Sequence, residues 1–208
     1  MFEGCTSLTI TPDMNKVSGT YMFKDCTSLV NVTNSDTILY VKDSMFSGCF
    51  KLKTVGNKKN FTIYLSSGYA PFCFANCTSL TTFPNITGSS NGYEAGCCSY
   101  MFTNCTSLSE FPNTLAGFSK TKSCFTNMFN GCTGITTLPD VFLSSTVLTE
   151  SCYKEMFNGC TSLKATPKLP AETINVNNAY QGMFTNCTSL TTATLSLKEF
   201  GLSANHVC

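Results

Sequence analysis

The chain has 208 residues, 42% of them apolar and 12% charged, with a formal charge of +1 at pH 7. Thirteen lysines, no arginine and a single histidine, His206, exclude the basic footprint of a nucleic-acid binder and leave little for acid–base catalysis. No apolar run approaches the ~18 residues of a membrane helix, so no membrane insertion of this segment is expected, and the unusual feature is the 14 cysteines, about 7% of the chain.

Phe2 opens the phrase MFEGCTSLT, and Phe23, Phe46, Phe74, Phe102, Phe129, Phe157 and Phe184 open its later copies at intervals of 21, 23, 28, 28, 27, 28 and 27 residues. A phrase recurring at such a period is the signature of a solenoid in which each copy forms one coil. Intervals this short suit one strand plus one short second element, because two-helix repeats need ~33 residues or more.

Within each coil the columns can be read from the Phe, taken as position 0. Cys97, Cys124 and Cys152 at −5, Met101, Met128 and Met156 at −1, the Phe itself and the Cys at +3 share one stripe at helical spacing. A short helix is therefore expected there. Position +2 holds only Gly4, Asp25, Gly48, Asn76, Asn104, Gly131, Gly159 and Asn186. These residue types tolerate left-handed backbone, so each is expected at positive φ, ending the helix. The Thr-rich run that follows is β-prone. Pro12, Pro84, Pro112, Pro139 and Pro167 at +10 would stop the strand. The variable remainder of each coil reads as a surface connection. The expected fold is an α/β repeat solenoid over residues 1–208, with a short-stranded parallel sheet on one face and short helical turns on the other.

Stacked ladders would fill its interior: Phe23, Phe46, Phe74, Phe102, Phe129, Phe157 and Phe184, then Cys26, Cys49, Cys77, Cys105, Cys132, Cys160 and Cys187, with Cys5 and Phe2 in the first coil. A looser apolar column at +9 holds Val32, Val55, Phe83, Phe111 and Leu138. Cysteines in one column of neighbouring coils have parallel Cβ vectors, which disfavours coil-to-coil bridges. Free Cys is also a small, highly buried hydrophobe. The +3 cysteines are accordingly read as core, Cys97, Cys124 and Cys152 as a second apolar ladder, and Cys73 as a substitute for the Met before Phe74. Cys98 and Cys208 are left as off-column residues that could form a bridge. Metal ligation usually uses C-x₂₋₄-C pairs, and Cys73/Cys77 is the one pair so spaced, so no metal site and no cofactor are expected.

The phrase MFTNCTSLSEFP at residues 101–112 resembles the BspA-like leucine-rich repeats, and the same match recurs over residues 1–197. Met in place of the usual Ala before Phe, and longer coils, depart from that pattern. The extra length implies an added turn-and-helix stretch such as residues 149–155. The resemblance implies a surface-exposed or secreted protein involved in adhesion or in binding proteins or glycans of a host or neighbouring cell.

Solenoids present an extended regular face to partners. The outward positions +7 and +8 supply Lys53, Thr54, Thr81, Thr82, Ser109, Glu110, Thr136, Thr137, Lys164, Thr191 and Thr192 as candidate ligand contacts. That surface is Thr-rich and short of the Tyr, Trp and Arg of interface hot spots. Tyr93, Tyr100, Tyr153 and Tyr180 lie on the connecting side as an alternative. Irregular Thr pairs argue against an ice-binding array. The cluster Lys51, Lys53, Lys58 and Lys59 reads as a solvated loop. No carboxylate pair, phosphate loop or nucleophile–base set marks an enzyme. The chain opens in mid-phrase with no cap or signal peptide before it, which points to a fragment of a larger protein or to a filament, fibre or virion segment assembling end-to-end. Six N-x-S/T sequons begin at Asn31, Asn60, Asn76, Asn85, Asn104 and Asn186.

Overall fold

The computed structural model describes residues 1–34, 36–55, 62–65, 68–82, 85–88, 93–111, 115, 121–169, 171, 173–194 and 199–200. Phe83, Pro84, Pro112, Lys58, Lys59, Asn60, His206 and Cys208 lie outside the described residues.

The segment before each +2 residue is not a helix, and no helix occurs among the described residues. A chain of consecutive turns takes its place. Residues 123–132 show the pattern. The N–H groups of Thr126, Met128, Asn130 and Cys132 bond carbonyls three residues back, on Ser123, Phe125, Asn127 and Phe129. The intervening N–H groups of Phe125, Asn127, Phe129 and Gly131 donate to the next coil, at Cys152, Lys154, Met156 and Asn158. Alternate donors therefore close turns and alternate donors join coils. The backbone repeats every four residues, with positive φ at Ser123 (57°), Asn127 (55°) and Gly131 (73°). A period of four keeps −5, −1 and +3 on one face almost as a helix would, which is why the side-chain stripe imitates one. A helix would bond every N–H internally and leave nothing to join the coils. Residues 149–155 follow the same turn pattern.

All eight +2 residues have positive φ, from 59° at Asp25 to 76° at Gly48. Their choice within Gly, Asn and Asp depends on the neighbouring rung. Asn104 donates through Nδ2 to Asn76 Oδ1 at 3.0 Å. A Cβ on Gly131, the next rung, would collide with Asn104 Oδ1.

On the opposite side the chain is extended. Val30, Lys53, Thr81, Ser109, Lys164 and Thr191, all at +7, donate N–H groups back to the +7 carbonyl of the preceding coil. Strand β1 (Asn31–Val32) pairs in parallel with β3 (Thr54–Val55), and Ile10–Asn31, Thr82–Glu110 and Ala165–Thr192 are parallel bridges at +8.

The connections are more than surface loops. Strands β2 (Ile38–Val41), β4 (Thr62–Leu65) and β5 (Asn85–Gly88) form a three-stranded parallel sheet in the order β2-β4-β5. Leu115 bridges Leu143, and β6 (Thr173–Ile174) pairs with β7 (Glu199–Phe200), again in parallel. Leu39, Val41, Ile63, Leu65, Leu115, Leu143 and Ile174 from these segments are buried. These connections thus close the core with further parallel β pairings. The alternation in ILYV and TIYL carries that signal, with burial on every second residue.

The core is a set of columns. Eight Phe rings stack through the coils at centroid spacings of 5.3–5.8 Å and interplanar angles of 3–15°. The six inner rings are buried, and Phe2 and Phe184 are partly covered. Each such offset ring pair contributes ~0.5–1.5 kcal/mol beyond area burial. The thiols form a second ladder. Cys26, Cys49, Cys77, Cys105, Cys132, Cys160 and Cys187 each place Sγ 3.0–3.2 Å from the Phe carbonyl of the preceding coil. Every one of these thiols is buried and free, whereas Cys5 is exposed.

Replacement of one rung checks the role of this ladder. Cys105→Ala should destabilise the protein by about 1–2 kcal/mol, through a lost hydrogen bond and a small cavity. Cys5→Ala should change it by less than ~0.5 kcal/mol. The two urea denaturation midpoints measure the difference, and equal midpoints would contradict a structural thiol ladder.

Candidate binding face

Positions +7 and +8 form an outward strip between +6 and +9, which turn inward. Leu29, Leu52, Leu80, Leu108, Ile135 and Leu163 at +6 are fully buried, and Val32 and Val55 at +9 nearly so. Between them Lys53, Thr54, Ser109, Glu110, Thr136, Thr137, Lys164, Thr191 and Thr192 are exposed, and Thr81 and Thr82 are half-buried. The strip holds cationic Lys53 and Lys164 and anionic Glu110. Several threonines also serve the fold. Thr82 Oγ1 donates to Glu110 Oε2 at 3.2 Å, and Thr191 Oγ1 to the Lys164 carbonyl at 3.2 Å.

The tyrosine alternative divides. Tyr153 and Tyr180 are core residues, stacked with Phe125 in one buried column at position −4. Tyr93 is partly buried against the core. Tyr100 instead stacks on exposed Phe72, with centroids 4.7 Å apart. Both occupy position −2, as does exposed Tyr21, and all three have positive φ, 53° at Phe72, 57° at Tyr100 and 55° at Tyr21. Bulky residues there cost ~1–2 kcal/mol each relative to glycine, and backbone strain of this kind concentrates at functional positions. Sequence reasoning missed this aromatic group. Its only signal was the recurrence of aromatics two residues before the Phe, at Tyr21, Phe72 and Tyr100.

Residues 1–111 and 97–208 match the BspA type leucine-rich repeat region, with six copies. The chain belongs to the BspA-type leucine-rich repeat family. No curated protein matches it. It is similar to a leucine-rich repeat protein from Bacteroides ovatus, at 19% identity over 99% of this chain and 78% of that one, with a TM-score of 0.26. It is also similar to a leucine rich cell surface protein from Faecalibacterium prausnitzii, at 16% identity over 91% of this chain and 79% of that one, with a TM-score of 0.32. This BspA-type chain is a repeat scaffold with parallel strands. No helix among the described residues is long and apolar enough to cross a membrane.

The remaining cysteines depart from the sequence reading. Cys97 and Cys124, in the −5 column of adjacent coils, are joined in a disulfide with Cα atoms 5.0 Å apart. The expectation that one column cannot bridge holds for the +3 thiols and fails here. Each +3 thiol is committed to the Phe carbonyl of the preceding coil, whereas Cys97 Sγ has a side-chain neighbour, Thr121 Oγ1 at 3.8 Å. Cys98 is free, buried and beside that pair, with the three sulfurs within 4.8 Å of one another. This cluster arises from vicinal cysteines in one coil and one from the next, a combination that C-x₂₋₄-C spacing does not reveal. Cys152 is buried and free in the next rung of the −5 column.

Burial holds these thiols protonated. It pushes Cys49 from its ordinary 9.0 up to about 12, helped by repulsion from Cys26. Cys73, Cys77, Cys98, Cys105 and Cys132 rise for the same reason, desolvation. A buried protonated thiol is a poor nucleophile. Among the sequons, the Asn104 and Asn186 amides donate within the asparagine ladder, while Asn31 and Asn85 are exposed on β1 and β5.

Two measurements follow from the cysteines. The folded state keeps protons that the unfolded chain releases above its thiol pKa, so this stabilisation is complete below pH 9 and falls as pH rises through about 12. Denaturation midpoints should therefore drop from neutral toward alkaline pH, and less steeply in Cys49→Ala. Opening the Cys97–Cys124 bridge, which spans 27 residues, should cost about 3.5 kcal/mol by chain entropy. Thermal unfolding with and without a phosphine reductant, beside Cys97→Ser/Cys124→Ser, reads this directly.

Proposed function

We propose that this protein is a non-catalytic recognition scaffold, extracellular or on a cell surface, whose strand strip contacts a protein or glycan of a host or neighbouring cell. The carrying observation is the exposed +7/+8 strip, on which charged and hydroxyl groups repeat in register between two buried columns. A lattice of exposed hydroxyl, ammonium and carboxylate groups suits a hydroxyl-rich or extended partner that makes many small contacts. Tyr21 and the Phe72–Tyr100 pair are the aromatic groups on the turn side. The Cys97–Cys124 disulfide supports an oxidising compartment, since such bonds are uncommon in reducing ones. The perturbed groups support no catalytic role, because buried thiols shifted upward supply no nucleophile at neutral pH.

The test is a screen of the intact oxidised protein against glycans and extracellular host proteins, followed by variants. Lys53→Glu combined with Lys164→Glu should weaken capture at least ~10-fold, the size of effect expected from losing one or two charged contacts. Phe72→Ala should leave it within a few-fold. The reverse result would move the site to the turn side and remove the strand strip from consideration. Turnover of a captured ligand would refute the non-catalytic reading.

A further inference from the structure

The Cys97–Cys98–Cys124 cluster has chemistry that the scaffold role does not use. Its three sulfurs lie within 4.8 Å of one another, and all three residues are fully buried. The cluster sits one turn beneath the surface, since Glu94 and Ala95, just before it, are exposed. Cys98 is held by its own backbone, which donates to the Cys124 carbonyl at 3.0 Å. The same contact fixes the neighbouring coil against it. Cys97 Sγ lies 3.8 Å from Thr121 Oγ1.

These features select among thiophilic centres. Three sulfurs around one centre with bonds near 2.3 Å stand ~4 Å apart, so once the bridge is opened the Cys97 and Cys124 sulfurs need only separate to that distance, with Cys98 already within 4.8 Å of both. Its fully buried setting favours a centre satisfied by three ligands. A fully buried site disfavours net charge. Three thiolates on a monovalent ion would carry two negative charges, and on a divalent ion one. A trivalent centre leaves the site neutral.

We propose that the reduced cluster is a three-sulfur binding site for a trivalent thiophilic centre of the arsenic(III) type, closed when Cys97 and Cys124 are oxidised to their disulfide. Binding is a condensation with no change of oxidation state. A trihydroxide, As(OH)₃, exchanges three As–O bonds for three As–S bonds. Each thiol proton leaves with a hydroxide as water, giving three waters and no net charge. The raised protonation of the buried thiols does not oppose this step, because the protons depart on the leaving groups. Formation of the bridge removes two of the three sulfurs. That step is a two-electron oxidation in which two thiol protons are released and a disulfide such as oxidised glutathione accepts the electrons. A reductant of the phosphine or dithiol class reverses it.

The experiment uses the full chain and arsenite as the probe. Protein reduced with a phosphine is freed of reductant, titrated with arsenite and read by native mass spectrometry and by sulfur–arsenic absorption in the ultraviolet. The expected result is one tight equivalent, with a mass gain of one arsenic less three hydrogens. Cys98→Ala, or Cys98→Ser if the alanine variant is poorly folded, should lose at least ~100-fold in affinity, the scale of removing one strong ligand bond. Untreated protein with the bridge closed should take up none. Binding unchanged in both Cys98 variants, or undiminished by the closed bridge, would overturn the assignment. So would zinc binding the reduced protein more tightly than arsenite, since zinc requires a fourth ligand.

Discussion

The carbonyl of the repeated Phe is the point on which the coils depend. It accepts the N–H of the Cys three residues on, closing a turn within its own coil, and the thiol of the next coil's Cys from above. Both of its lone pairs are used, so a buried polar group inside a column of rings is left satisfied. The Phe N–H meanwhile donates up to the following coil. One residue therefore sets the turn, the register of the neighbours and the position of the ring stack.

That arrangement accounts for the low charge and the high cysteine content together. Cys at +3 is small enough to sit between stacked coils and is a weak donor that can reach a carbonyl. Serine could donate as well, but at a higher desolvation cost within an apolar column. The thiols are thus structural hydrogen-bond donors as well as core hydrophobes. The −5 column shows the converse. There Cys97 and Cys124 form a bridge that the +3 residues, held to the Phe carbonyls, do not.

The strand side and the turn side divide the surface. The strands hold their outer groups in register through coil-to-coil backbone hydrogen bonds, which leaves the +7/+8 side chains facing out. On the turn side the backbone visits the left-handed region every fourth residue, and the coil-to-coil hydrogen bonds hold it there even at Phe72 and Tyr100. The strain of those positions is tolerated because the lattice on both sides specifies them.

Repeat, columns and handedness were legible in the sequence because they are local. Gly, Asn and Asp at +2 mark a backbone conformation that each residue reports by itself, and Phe, Cys and Leu mark burial at fixed offsets. The polar strip was legible for the same reason, as it lies at fixed offsets between the buried Leu at +6 and the apolar column at +9. Helix against turn chain was not legible, since side-chain periods of 3.6 and four residues cannot be told apart over ten residues. Only the direction of the N–H groups separates them, and that depends on a neighbouring coil being there to accept. The buried second ladder at Leu39, Ile63, Leu115 and Leu143, the core placement of Tyr153 and Tyr180, and the meeting of Cys97, Cys98 and Cys124 were likewise decided between coils. Residues about 27 apart in sequence become neighbours only when the stack closes.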